Sequence, residues 1–223
     1  PSVKEATLVD WLKHKGIRLS TISGEERHGI VHRLDKGTSG TMVVAKNNEA
    51  HEFLSAQLQD KSMGRYYIAV ITPPLKEDIT TIESNIGRSA NNRLKMACGL
   101  EHGKYAKTMF KQLALSEDEK VQLISCKLFT GRTHQIRVHL ESINRHILGD
   151  HIYAQSPKIE KVERILLHAY IIYFIHPTTK EKLFFKAEFD TVMQENIDKK
   201  FKLENMNEIM EMDNILHSFS TDS

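Results

Sequence analysis

The segment from Ile79 to Leu128 constrains the fold most, because it reads as two β-hairpins in direct succession. Ile79 to Ala97 alternates around a polar tip, Ser89-Ala90-Asn91-Asn92, flanked by Arg88, Arg93 and Lys95. Lys107–Leu115 and Val121–Leu128 form a second pair around Ser116-Glu117-Asp118-Glu119. The period-two alternation of Met109, Gln112 or Lys111 and Leu113 is that of a half-buried antiparallel sheet. A chain with this centre belongs to an antiparallel-sheet architecture, not to a helical bundle or a wound parallel sheet.

The rest of the chain adds strands and a few helices to that centre. Leu8 to Leu12 reads as a short helix with Leu8, Trp11 and Leu12 on its apolar side. Met42-Val43-Val44-Ala45 reads as a buried strand, and Tyr66 to Ile71 as another that Pro73-Pro74 stops. Between them lies a helix capped by Asn47 or Asn48, with Ala50, Phe53, Leu54, Gln57 and Leu58 on its buried side and Gly64 suited to its C-terminal cap. Thr133 suits the N-cap of a helix in which Ile136, Leu140 and Ile143 share a face. Leu166–Ile175 and Leu183–Phe189 are the last strands expected. The expected class is α+β: a largely antiparallel mixed sheet with flanking helices. Residues 1–190 make the main domain, and 191–223 a tail in which Leu203, Met206, Met210 and Leu216 form one amphipathic helix or remain loose.

Bulk composition sets outer limits. At 223 residues the chain can bury a real core, and 27% charged residues is ordinary for a globular protein. No apolar run approaches a membrane span, and two cysteines suit a reducing compartment, so a cytoplasmic protein is expected. The net charge of +2 hides a basic middle, from Lys13 to Lys111, and an acidic region after Gln194. That distribution is compatible with a nucleic-acid partner without requiring one.

The chemistry-bearing stretch is His32-Arg33-Leu34-Asp35-Lys36-Gly37-Thr38-Ser39-Gly40. One carboxylate sits between two cations, followed by hydroxyls and glycines that let the backbone turn tightly. Taken alone it fits a surface salt bridge as well as a site. Asp35 is the candidate nucleophile or base. Arg132, at a Gly131 turn that opens a helix, is placed to reach into a cleft and hold a carboxylate with its planar fork. Helix-start solvation explains Arg132 equally well. Tyr67 is a strand tyrosine, either core filler or a ring able to stack on a planar base and relay a proton. His134 and His139 are five apart, diverging by about 140° around a helix, which argues against a shared metal. Neither a phosphate-binding glycine loop nor a nucleophile-elbow motif is present. Arg88, Arg93 and Lys95, with Lys104, Lys107 and Lys111, suit either a phosphate backbone or a solvated face.

Together these segments resemble the RluA-type family of RNA pseudouridine synthases. HRLDKGTSG with MVVAK after it resembles the family's catalytic signature, RYYIAV its second motif and TGRTHQIRVHL its third. LGDHIY (148–153) and RILLHAYIIYFIHP (164–177) follow in the family's order, so the resemblance spans roughly Thr7 to Phe189. Three features depart from the family pattern. A Lys-Pro-x-Gly strand ahead of Thr7 and a small S4 RNA-binding domain are not found in this sequence, so either the chain is truncated or its sheet closes differently. Thr72 and Ala154 stand where glycines are frequent.

The resemblance implies the pseudouridine synthase fold with a central RNA-binding cleft. It also implies isomerisation of specific uridines in structured RNA (large-subunit rRNA, tRNA or both) to pseudouridine. Asp35 is then the catalytic aspartate, Tyr67 the active-site tyrosine and Arg132 the arginine paired with Asp35. Arg33 fills the space a flipped base leaves, and Lys36, Arg88, Arg93, Lys95, Lys104 and Lys107 contact RNA. Exchanging a glycosidic C–N bond for a C–C bond needs no redox step and no group donor, so neither metal nor organic cofactor is expected. A monomer is expected. Two rival classes are a non-catalytic RNA-binding module of the same fold and a hydrolytic nucleosidase that would release free uracil.

Overall fold

The computed structural model describes residues 6–24, 27–154, 162–202 and 204–219. The described chain divides into two compact units, each assembled from separated segments. The smaller comprises residues 1–33, 42–63 and 173–184; the larger comprises 34–41, 64–172 and 185–223.

In the smaller unit, helix α1 (Leu8–His14) starts at Thr7, whose hydroxyl and backbone form a reciprocal capping box with Asp10. Its buried stripe is Val9 and Leu12, spaced i, i+3, whereas Trp11 is 52% exposed. The apolar side expected from Leu8 and Trp11 is therefore turned outward in a helix of only two turns. Helix α2 (Asn48–Asp60) is N-capped by Asn47, which accepts from the Ala50 backbone N–H at 2.8 Å. It ends at Lys61 in the left-handed region at φ 67° rather than at Gly64. The strand expected at Met42–Ala45 is not regular. Only Val44 forms an isolated bridge, to Ile30, and the Val43 N–H donates to His32 Nε2 where a ladder carbonyl would otherwise sit. An apolar run of four residues is too short for composition to separate strand from buried coil, and here a side-chain acceptor replaces the ladder partner.

The larger unit carries most of the sheet. Its strands are β1 (Ser39–Gly40), β2 (Gly64–Thr72), β3 (Ile79–Arg88), β4 (Met96–Cys98), β5 (Lys104–Leu115), β6 (Gln122–Leu128) and β7 (His146–Ile147). β8 (Leu167–Ile175) and β9 (Lys182–Lys186) continue into residues of the smaller unit. The order is β1-β8-β2-β6-β5-β3-β4, with β7 added on β2 and β9 on β8. The pairs β2–β6, β5–β6, β3–β5 and β3–β4 are antiparallel, while β1 runs parallel to β8. Both expected hairpins are present, and the class is α+β.

Helix α3 (Gln135–Ser142) positions the site. Thr133 does not cap it: His134 occupies the N-cap position with φ 55° and makes no side-chain cap bond. Instead Gln135 reaches back, accepting from the Arg132 N–H at 2.9 Å and the Thr130 hydroxyl at 2.8 Å. Gln135 to Leu140 are all buried, and Gln135 Nε2 donates to Thr108 Oγ1 of β5, fixing α3 on one face of the sheet. Register places Arg65 opposite Leu128 and Tyr67 opposite Cys126, so Arg65 and Tyr67 lie on that same face.

Among the described residues from Thr191 onward three helices form, α4 (Thr191–Lys200), α5 (Met206–Ile209) and α6 (Met212–His217). They are anchored by the Tyr170 hydroxyl donating to the Met210 carbonyl and by Phe219 packing 5.6 Å from the Tyr66 ring. Met210 takes part in this anchoring, while Leu203 lies outside the described residues.

Candidate active site

Asp35 sits in a turn closed by the Thr38 N–H donating to its own carbonyl at 3.0 Å. Beyond that turn the backbone is clamped to β8. Gly40, at φ 112°, lies so close to Ala169 that any side chain there would collide with the Ala169 backbone, and the Thr41 N–H donates to the Ala169 carbonyl at 2.8 Å. The Ser39 hydroxyl donates to Asp190 at 2.7 Å, accepts from Arg164 Nη2 at 3.0 Å and lies 2.8 Å from His168 Nδ1. Arg164 also pairs directly with Asp190, which caps α4 by accepting from the Met193 N–H. The turn that carries Asp35 is thus held by three side chains from distant parts of the chain, Arg164, His168 and Asp190. Such support fixes a reacting group in a way a free surface loop cannot.

The cation facing Asp35 is Arg137, whose Nη1 lies 3.5 Å from Asp35 Oδ2. The ion pair expected of Arg132 is therefore made five residues later. Arg132 instead donates through Nε to the Tyr105 carbonyl at 2.9 Å and is exposed. Gln135 bends the loop back at Arg132 N and turns that side chain toward β5, whereas Arg137 points inward from the buried part of α3.

Arg137 forms a fork with Asp150: Nε to Oδ2 at 2.7 Å and Nη2 to Oδ1 at 2.8 Å. The Arg137 and Asp150 side chains are 6% and 0% exposed, and Asp150 also accepts from the backbone N–H groups of Ile152 and Tyr153. Burial alone raises the Asp150 carboxyl; the Arg137 hydrogen bonds and charge, with the two backbone donors, outweigh it and hold the group below its usual range. Burial likewise disfavours the Arg137 charge, but Asp150 and then Asp35 override it and strengthen the protonated form. The Arg137 guanidinium stands 5.0 Å from the Tyr153 ring centroid. Tyr153, pushed up to about 12 mainly by burial, accepts from the Met96 N–H and contacts His134 Nδ1 at 3.0 Å.

Tyr67 is 6% exposed, on the face of the sheet that bears α3. Burial raises its hydroxyl first of all and the Asp35 charge raises it further, so Tyr67 stays a neutral phenol. Asp35, Arg137 and Tyr67 belong to one unit of the fold. What they assemble is a carboxylate with a fixed orientation and an aromatic ring within range of its field.

Arg33 and Lys36 flank Asp35 in the chain and are exposed. The hairpin cations are more engaged than their spacing suggests. Lys95 pairs with Glu141 at 2.9 Å and lies over the Tyr153 ring. Lys107 pairs with Glu83 at 2.6 Å, and Arg88 donates to the Arg93 carbonyl. Arg93 and Lys104 are exposed. Among the described residues no group of three or more His, Cys, Asp and Glu is arranged to hold a metal. His139 is fully buried, with Nδ1 on Thr108 Oγ1.

Sequence reasoning missed Arg137 and Asp150. The usable signal was position: Arg137 lies between Ile136 and Val138 in an apolar helix, where a cation requires a buried carboxylate.

Residues 2–142 match the model of the RNA pseudouridylate synthase family. A Helicobacter pylori protein described as an uncharacterized RNA pseudouridine synthase is 51% identical over 98% of this chain and 68% of its own length. Ribosomal large subunit pseudouridine synthase D of Zymomonas mobilis is 40% identical over 82% of this chain and 59% of its own. The structure of human RNA pseudouridylate synthase domain containing 1 aligns with a TM-score of 0.67 and 26% identity, covering 82% of this chain and 74% of that one. That of human RNA pseudouridylate synthase domain containing 4, at 19% identity and a TM-score of 0.62, shares the fold. With the family model covering more than half of the chain and a 51% identical relative covered over two thirds, this chain belongs to the RNA pseudouridylate synthase family.

Proposed function

We propose that this chain converts specific uridines of structured RNA to pseudouridine, with Asp35 as the nucleophile. The observation that carries the reading is the Asp35 carboxylate in a clamped turn, facing Arg137 and lying within electrostatic range of Tyr67. The target base leaves its stack to reach the carboxylate, so unstacking costs a few kcal/mol that contacts in the site must offset. Tyr67 supplies a ring for the base, and Arg33 occupies the space it vacates. Arg137 takes the role expected of Arg132, keeping the carboxylate oriented while its own position is fixed by Asp150. The base's bond to the sugar through N1 is exchanged for one through C5, and the C5 proton is released. Lys36, Arg88, Arg93, Lys95, Lys104, Lys107 and Arg132 supply charge along the path of the RNA backbone. Large-subunit ribosomal RNA and tRNA are the substrate classes we infer, acted on by a cytoplasmic monomer. No helix among the described residues is long and apolar enough to cross a membrane.

Tritium release from RNA labelled at uracil C5 tests the reading. Wild-type protein should release tritium and leave no free uracil. Asp35→Asn should release none while still retaining RNA in a filter-binding titration. Mapping pseudouridines in cellular RNA with and without the gene identifies the target. Undiminished release by Asp35→Asn contradicts the assignment.

A further inference from the structure

A second buried arginine lies near this site and has no carboxylate partner among the described residues. Arg65 is 9% exposed, and its Nε is buried with no hydrogen-bond partner. The contrast with Arg137 is complete, since that guanidinium is satisfied by two carboxylates and an aromatic ring. A guanidinium carries five N–H donors, accepts nothing and does not discharge at physiological pH, so burying its Nε without an acceptor is costly. An apolar side chain of similar length fills such a place without that cost. The arrangement becomes favourable only when an anionic acceptor arrives.

Position identifies the acceptor. Arg65 lies two residues before Tyr67 on β2, on the same face of the sheet, and the two interact electrostatically. Gly131 covers the guanidinium: a Cβ at that glycine would stand 2.7 Å from Arg65 Nη1 and 3.2 Å from Nη2. The bend at Thr130-Gly131-Arg132 thus leaves room for the fork beside the ring that the base stacks on.

We propose that Arg65 is a substrate-binding residue that takes a phosphodiester adjoining the target uridine. The inference rests on the RNA-modifying reading above. A phosphodiester supplies both full negative charge and two oxygens matched to a guanidinium fork, whereas a uracil carbonyl supplies neither the charge nor the pair. Opposite charge arriving with the substrate also offsets part of the base-unstacking cost at the place where it is incurred.

The test is filter binding of a large-subunit ribosomal RNA transcript to wild-type and Arg65→Met protein across a potassium chloride series. Arg65→Met should bind about tenfold more weakly. The slope of log K against log salt should become shallower by roughly 0.7–0.9, the share of one phosphate. An unchanged slope overturns the proposal, because a variant that merely repacked the strand would keep the counterion count. A measurement on the wild-type protein alone guards against misfolding of the variant. RNA carrying a neutral methylphosphonate on either side of the mapped uridine should lose about tenfold in affinity at one of the two positions. Full affinity at both positions overturns the proposal. Tritium release by the wild-type protein reports separately: its absence defeats the RNA-modifying reading, whereas release with unchanged salt slopes defeats only the role of Arg65.

Discussion

Buried α3 and the exposed β3–β5 ribbon both pair cations with carboxylates, yet the pairs do different things. Arg137 and Asp150 meet at side-chain exposures of 6% and 0%, with backbone donors completing the carboxylate. Lys107 and Glu83 meet at 31% and 45%. In water the second pair contributes little and exchanges readily for another anion, which suits a surface proposed to meet RNA phosphates. In the interior, removing one partner strands the other charge, so the first pair behaves as a fixed part of the site. Their separations of 2.7 and 2.6 Å make the two look alike; burial separates them.

The sharpest way to break the comparison is to remove Arg137. Arg137→Met should destabilise the protein by about 3–5 kcal/mol, measured by urea unfolding, because Asp150 is left charged and dry. Arg137→Met combined with Asp150→Leu should recover most of that stability without recovering tritium release. Recovery of release by the double variant would show that the pair serves the fold alone.

A smaller effect comes from His139 on the same helix. Burial lowers its imidazole from the ordinary 6.5 to about 4, with Thr108 contacting one nitrogen and Nε2 without a partner among the described residues. Its folded pKa lies below the unfolded value, so its contribution is complete above pH 6.5. It is lost as the pH falls toward 4, because the unfolded chain takes up the proton first. The loss is about 3 kcal/mol across that window. His139→Gln should flatten the wild-type stability profile there, and an unchanged profile would place the titration elsewhere.

The smallest effect belongs to the ribbon. Lys107→Ala should leave thermal unfolding unchanged and make the salt dependence of RNA binding shallower by roughly 0.7–0.9. A large loss of stability in that variant would erase the distinction between the two regions.

How much was legible beforehand follows the same divide. The hairpins of β3–β6 were readable because alternation at period two is a local property of the chain. Asp35 and Tyr67 could be nominated from the sequence because their motifs are contiguous. The partner of Asp35 was not, since Arg132 and Arg137 lie in one motif and differ only in which way a left-handed residue at His134 and the back-reaching Gln135 turn the loop. Arg164, Ser39, His168 and Asp190 converge from segments up to 151 residues apart, and no local pattern announces that clamp. Met42–Ala45 misled because His32 supplies an acceptor that composition does not reveal.

Arg137 is the residue proposed to hold Asp35 in its working orientation. Single-turnover tritium release, compared between Arg137→Gln and Arg132→Gln at saturating protein, tests it directly. The structure predicts a rate loss of at least about 10²-fold for Arg137→Gln, the scale of removing one preorganised charge partner, and less than about tenfold for Arg132→Gln. The reverse order, with Arg132→Gln inactive and Arg137→Gln near the wild-type rate, would contradict it.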